Sequence, residues 1–315
     1  MTTEVTYQCS LSADVLKVAM AELNEDPNTR HIEVKTLRQR LEKYPGRLNA
    51  RTDSKFLLRF LRARKFDQEQ SFQLVLNYYT MRKDDREIFS DLKPFCVRHV
   101  FESGYTTPLG VRDKKGAAVI LEKPGNWDYA RFSELDLIKA DCITIQKITE
   151  DETTQVYGVT LLIDYTGFTL SHLTHTSPSF ARRMCRLWQD VFPARLRAVH
   201  IVNEPASYSN IFGLFKPFLK QKLLDRIFFH GTKYSGLHEH IDPDNLPKAY
   251  GGNCPDVVDT TWADVILKCD KQFEEDAKYG LLDMKVSALQ GAETESPGGV
   301  ARDSLVGTFK KLAVD

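Results

Sequence analysis

The sequence has no uninterrupted apolar run of ~20 residues, the length a helix needs to cross a bilayer, so no helical membrane span is expected. It also lacks a net charge. Its 43 lysines and arginines balance 43 aspartates and glutamates, which argues against a general nucleic-acid binder and leaves room only for a local basic patch. Residues 1–10 contain neither a charged n-region nor an apolar h-region, so no secretory signal is expected. Cys9, Cys96, Cys142, Cys185, Cys254 and Cys269 include no C-x-x-C pair. Their spacing fits neither a disulfide framework nor a zinc site, and free thiols of a reducing cytosol are the expectation.

Enzyme signatures are missing too. No glycine-rich phosphate loop follows a strand, and there is no H-E-x-x-H or G-x-S-x-G. The pairs His172/His175 and His238/His240 lack cysteine or carboxylate partners at ligand spacing and read as surface or packing histidines, so no metal is expected. Asp164 closes an apolar run, where α/β enzymes often place catalytic groups. A hydrogen-bonded strand-end aspartate fits the same position, and the chain is expected not to be an enzyme.

What is present divides in three. Residues 10–90 read as a helical bundle. Ser12 opens a stripe of Val15, Leu16, Ala19 and Leu23. Ile32, Leu37 and Leu41 form a second, Asp53 opens a helix over 54–66, and Asp67 with Gln70 caps one with Phe72, Val75, Leu76 and Tyr79 on one face. Residues 91–280 read as an α/β layered region. A hairpin turns at Asp113–Gly116, helices are predicted over 133–149 and from Ser177, and strands over 158–165, 196–202 and 226–229. Residues 281–315 read as a mostly disordered tail, polar and glycine-rich over 291–303, with a short end segment at 305–312.

The segment Pro205–Leu224 carries Ile211, Phe212, Leu214, Phe215, Phe218, Leu219 and Leu223 around most of its circumference, interrupted by Gly213 and Pro217. It reads either as a buried core helix or as a mobile lid, apolar on both faces, over a lipid cavity. Lys222 and Arg226 share a face if the helix persists, and Arg195 and Arg197 share one side of a strand. Counting 100° per residue places Arg64 about 80° from Phe56, on the apolar side, where its charge needs a partner or a helix end. An anionic phosphate is one such partner. Phe180, Met184, Leu187, Trp188 and Val191 form one stripe of a predicted helix 177–191, as core or as a cavity wall. Asp141 faces the same way as Ile138 and Ile145, as a polar handle in a pocket or as the partner of a structural arginine.

Five ordered motifs resemble the CRAL-TRIO family: FLLRFLRARKFD at 56–67, ETTQVYGVTLLIDYTGF at 152–168, QDVFPARLRAVHIVNEP at 189–205, FKPFLKQKLLDRIFFHG at 215–231 and LPKAYGG at 246–252. The resemblance covers roughly residues 10–280 and is strongest to the tocopherol-carrying branch, with retinaldehyde binders and clavesins close behind. It implies an α/β fold: an N-terminal helical bundle, then a lipid-binding domain with a mixed sheet floor and a mobile gate helix at about 203–226. It implies a phosphoinositide cleft of Arg64, Arg195, Lys222 and Arg226, with Arg197 and Lys216 as neighbours, and a latch between Asp190 and Lys222. By the same resemblance the lipid pocket comprises Tyr105, Ile138, Asp141, Ile145, Val159, Ile163, Met184, Leu187, Trp188, Phe192, Ala194 and Val199. The chain departs from the tocopherol carriers at Asp141 and Ile145, where they have serines, at Trp188 and Ala194, where they have leucines, and at Ala249, where an acidic residue is usual.

The implied function is binding and transfer of a small hydrophobic lipid, tocopherol-like or another isoprenoid, by a monomeric cytoplasmic protein. The ligand is the lipid itself, with no cofactor, and release is at phosphoinositide-bearing endosomal or plasma membranes. A retinoid carrier and a phosphoinositide-binding trafficking adaptor are the alternatives.

Overall fold

The computed structural model describes residues 7–45, 48–205, 208–257 and 260–281. The expected tail lies outside the described residues. The helical region begins with Ala13–Leu23, capped by the Ser12 hydroxyl, which accepts the Val15 N–H, and stopped by Asn24 in the left-handed conformation. Arg30–Glu42, Ser54–Ala63 and Gln68–Asp84 follow, the last two opened by the Asp53 and Asp67 carboxylates accepting from Phe56 and Gln70. The third helix ends three residues before the expected Phe66, because Lys65 and Phe66 both take positive φ. The buried face of the fourth is Ser71, Leu74, Val75, Tyr78 and Tyr79 rather than the expected stripe through Phe72 and Leu76. Ser71 fits there because its hydroxyl donates to the Phe60 carbonyl.

Among the described residues seven strands follow in chain order: β1 Leu48–Asn49, β2 Thr106–Arg112, β3 Ala118–Glu122, β4 Val159–Asp164, β5 Leu196–Val202, β6 Ile227–Phe229 and β7 Gly280–Leu281. Strands β2 to β6 form one mixed sheet in sequence order; β2 and β3 are an antiparallel hairpin and β3 to β6 run parallel. In the hairpin turn Asp113 Oδ1 accepts from the N–H groups of Lys115 and Ala117. Gly116 sits at φ 87°, where a side chain would also strike the Tyr157 ring.

Alternation along the strands separates two apolar layers. Leu161, Val199 and Ile201 face the main core, whereas Val119, Leu121, Leu162 and Val202 pack on Leu237, Ile241, Leu246 and Tyr250. Over the first face lie the helices Glu134–Ile148, opened by a Ser133–Asp136 capping box, and Pro178–Arg186, capped by Ser177. The expected continuous helix to Val191 is not seen. Residues Leu187–Val191 widen into a π turn that Phe192 closes by donating to the Leu187 carbonyl at 2.8 Å.

The expected boundary at residue 90 does not separate two cores. One buried cluster runs from Val34 to Phe273, and β1 pairs with β7 across the length of the described chain. Arg62, 0% exposed, bridges the two regions through both Glu25 carboxylate oxygens at 2.8 Å and Gln155 at 2.7 Å.

Candidate functional site

Between the sheet face carrying Leu161, Ile163, Val199 and Ile201, the helix Pro178–Arg186 and the segment 208–227 lies a cavity of about 1060 Å³, mouth included. Five of the expected pocket residues line it: Tyr105, Ile163, Met184, Trp188 and Val199. Ile138, Ile145, Val159, Leu187, Phe192 and Ala194 do not; they are buried in the surrounding core. The helix Glu134–Ile148 turns Leu137 to the cavity instead. Asp141 is also set back, and both readings of it need correcting. It does not line the cavity, and no arginine pairs with its carboxyl, which faces the Thr106 hydroxyl instead.

Lining residues that the sequence reading missed include Leu161, Ile201, Trp127, Tyr165, Tyr208 and Glu122. Leu161 and Ile201 were within reach of the period-2 rule, being two residues from Ile163 and Val199 on the same strands.

The gate segment is three short pieces rather than one helix: Tyr208–Phe215, a 3₁₀ turn Lys216–Phe218 and Gln221–Leu224. Pro217 has no N–H to continue the first piece. Ile211, Phe212, Phe215, Leu219 and Leu223 face the cavity, whereas Leu214 and Phe218 do not. Phe218 lies under the Arg182 guanidinium at 5.3 Å. The segment is clasped by one side chain from the π turn. Gln189 donates to the Phe218 carbonyl at 2.8 Å and accepts from the Lys220 N–H at 2.7 Å.

Beside this clasp Asp190 forms an ion pair with Lys220 at 2.5 Å, not with the expected Lys222. The break before Gln221 moves the phase by two residues, and Lys222 lines the same recess without taking the carboxylate. Arg64, Lys65, Lys220 and Lys222 share that recess with Asp67 and Asp190. Arg64 is a helix cap whose head lies 3.4 Å from the Gln189 carbonyl, and burial holds its pKa below the usual arginine value.

The remaining expected basic residues stand elsewhere. Arg197 and Arg226 line a second recess with Lys114, Lys115 and His240. The helix ends at Leu224, so Lys222 and Arg226 do not share a face. Arg195 and Arg197 both reach Glu22 at 3.2 Å. Burial raises the Glu22 carboxyl, but the Arg195 hydrogen bond and the two guanidinium charges outweigh it and bring its pKa below the ordinary value. Arg226 donates to the Leu196 carbonyl, and Lys216 is exposed on the gate.

Asp164 accepts from Thr166, Asn203 and Tyr250 and clasps strand ends together. His172 is held by Thr169 and the Trp127 carbonyl, and His238 lies against the Tyr250 carbonyl. Among the described residues no group of three or more His, Cys, Asp or Glu is placed to hold a metal ion. No helix there is long and apolar enough to cross a membrane.

Comparison with known proteins gives the same region a family. The CRAL/TRIO domain matches residues 102–252, and a Pinta-like UBA domain matches residues 26–98. The chain is 39% identical over 267 residues to the alpha-tocopherol transfer protein-like protein of Homo sapiens, covering 85% of this chain and 78% of that one. It is 32% identical over 301 residues to clavesin-2 of Homo sapiens, covering 95% and 91%. Clavesin-1 of Xenopus laevis is 34% identical over 302 residues, covering 94% and 91%. The crystal structure of Sfh5 matches with a TM-score of 0.50 at 17% identity, covering 80% of this chain and 99% of that one, a likeness of fold.

Proposed function

The chain belongs to the CRAL/TRIO family, and from that premise we propose that it is a non-enzymatic carrier of a small hydrophobic lipid, tocopherol-like or another isoprenoid, that exchanges its cargo at phosphoinositide-bearing membranes. The observation that carries the reading is the apolar cavity under a segment held shut by few polar contacts, chiefly Gln189 and the Asp190–Lys220 pair. Burial of the cargo's apolar surface supplies the affinity. Anionic head groups supply the trigger. Each basic residue near an anionic surface contributes about 1 kcal/mol, and Arg64, Lys65, Lys220 and Lys222 stand together in the recess beside the clasp. A phosphorylated head group there competes with Asp190 for Lys220 and loosens the gate. The carrier acts as a cytoplasmic monomer that touches endosomal or plasma membranes peripherally, with no cofactor.

Delipidated protein titrated with a fluorescent tocopherol analogue, with tocopherol and retinal as competitors, tests the cargo. The double variant Arg64→Ala, Lys222→Ala tests the trigger. Transfer to phosphoinositide vesicles is expected to slow by on the order of tenfold, with cargo affinity in solution unchanged. Normal transfer by the double variant would rule the exchange step out. The wide cover of this chain by the clavesins favours a second reading, a phosphoinositide-binding trafficking adaptor. Deleting the residues after 281 separates the two: lost membrane recruitment with intact lipid transfer supports the adaptor.

A further inference from the structure

One wall of the cavity is acidic. At the end of β3, Glu122 lines it beside Tyr105 and Tyr165, and no lysine, arginine or histidine is among the described lining residues. Behind Glu122 stands Asp141, 2% exposed, with the Thr106 hydroxyl beside its carboxyl and no arginine, lysine or histidine among the described residues paired with it. A buried carboxyl with no counter-charge is costly to ionise. Asp141 and Glu122 lie within electrostatic reach of each other, so ionising both is unfavourable. Burial pushes the Glu122 carboxyl up to about 7. Burial first, then the Glu122 charge, holds Asp141 well above the carboxylate range, and the Thr106 hydroxyl only partly offsets them.

We propose that Glu122, with Asp141 behind it, receives the polar head of the cargo, and that this head donates a hydrogen bond and carries no negative charge: a hydroxyl or an ammonium. This deepens the carrier reading and rests on it. A hydroxyl donates to an ionised Glu122 and accepts from a protonated one, so it binds in either state. An ammonium supplies the counter-charge that the cavity lacks. An aldehyde or ketone can only accept, and it binds only while Glu122 holds its proton. A carboxylate or phosphate head meets a like charge once Glu122 ionises.

Trp127 and Trp188 line the cavity, so their emission reports occupancy without a label. The full-length delipidated protein would be titrated with geranylgeraniol, geranylgeranylamine, geranylgeranial and geranylgeranoic acid from about pH 6 to about pH 8.5. At the alkaline end the alcohol or the amine is expected to bind on the order of tenfold more tightly than the acid. Tight binding of the alcohol alone, or of the amine alone, assigns the head. Affinity for the aldehyde and the acid should fall as pH rises through about 7, while that for the alcohol stays level. In Glu122→Gln, close in size and uncharged, the alcohol-to-acid gap should shrink to within about threefold and the pH step should vanish.

The wild-type pH profile stands as a test even if that variant folds poorly. Equal binding of acid and alcohol by the wild type, or an unchanged ratio in Glu122→Gln, would overturn the assignment of Glu122 and leave the carrier reading standing. Silence of the tryptophan emission towards all four would overturn both.

Discussion

At the scale of single residues, the acidic wall sets binding against stability. Glutamate ordinarily ionises near 4.5, and burial moves Glu122 to about 7. Between those values the folded chain keeps a proton that the unfolded chain has lost, so folded stability falls as pH rises through that window and stays lowered above it. Glu122→Gln removes the effect. It is expected to raise the unfolding free energy at about pH 8 by on the order of 2 kcal/mol, and to change it much less near pH 5. Urea unfolding at the two pH values measures this, and an equal gain at both would contradict it. Asp141 was legible in the sequence because a carboxyl on the Ile138–Ile145 face breaks the helical pattern. Glu122 was not, since a glutamate closing an apolar run reads as a strand end in solvent. It shares the cavity wall with Tyr105 and Tyr165, residues far apart in sequence.

At the scale of elements, the local signals translated well where they are chemical. Ser12, Asp53, Asp67, Ser133 and Ser177 all cap helices at the expected places, and Asp113–Gly116 turns the hairpin. The gate was legible in composition and not in shape. Periodicity alone does not show that Gln189, projecting from a π turn, takes the Phe218 carbonyl and the Lys220 N–H out of a helical ladder. Gly213 gives the element its own test. It lies within Tyr208–Phe215, and a side chain there would meet nothing within 4 Å. Its φ is not in the positive range, so Gly213→Ala fits without strain. The substitution should stabilise the closed gate by about 0.5–1 kcal/mol, chiefly by restricting the open chain. Cargo release to vesicles should slow about two- to fivefold, the kinetic equivalent of that energy. Stopped-flow transfer measures it, and unchanged or faster release would show that this helix does not unwind when the gate opens.

At the scale of the molecule, the sequence suggests two domains meeting near residue 90, while the packing makes the described chain one unit through Leu281. The reason lies in contacts that no local pattern reports. Arg62 reads as one more charge in FLLRFLRARKFD, yet it is wholly buried between Glu25 and Gln155. Arg30 also pairs with Glu25, and the Tyr7 hydroxyl and the Ser10 N–H close the cluster on Glu152. Arg51 reaches Asp276 at 2.8 Å across the β1–β7 pairing. Breaking one partner of a buried ion pair costs about 3–5 kcal/mol, because the charge left behind keeps its desolvation penalty. Arg62→Met should therefore cost about 3 kcal/mol, near the low end because Arg30 still faces Glu25. The readout can separate one cooperative unit from two. The three tryptophans, Trp127, Trp188 and Trp262, all lie beyond residue 100, whereas helical circular dichroism reports both regions. If the chain unfolds as one body, the urea midpoints seen by tryptophan emission and by circular dichroism fall together in the variant. If the helical bundle is an independent module, ellipticity is lost first and the tryptophan midpoint stays where it is in the wild type. Coincident curves would also mean that strain at the Arg62 cluster reaches the cavity, where Trp188 and the gate lie.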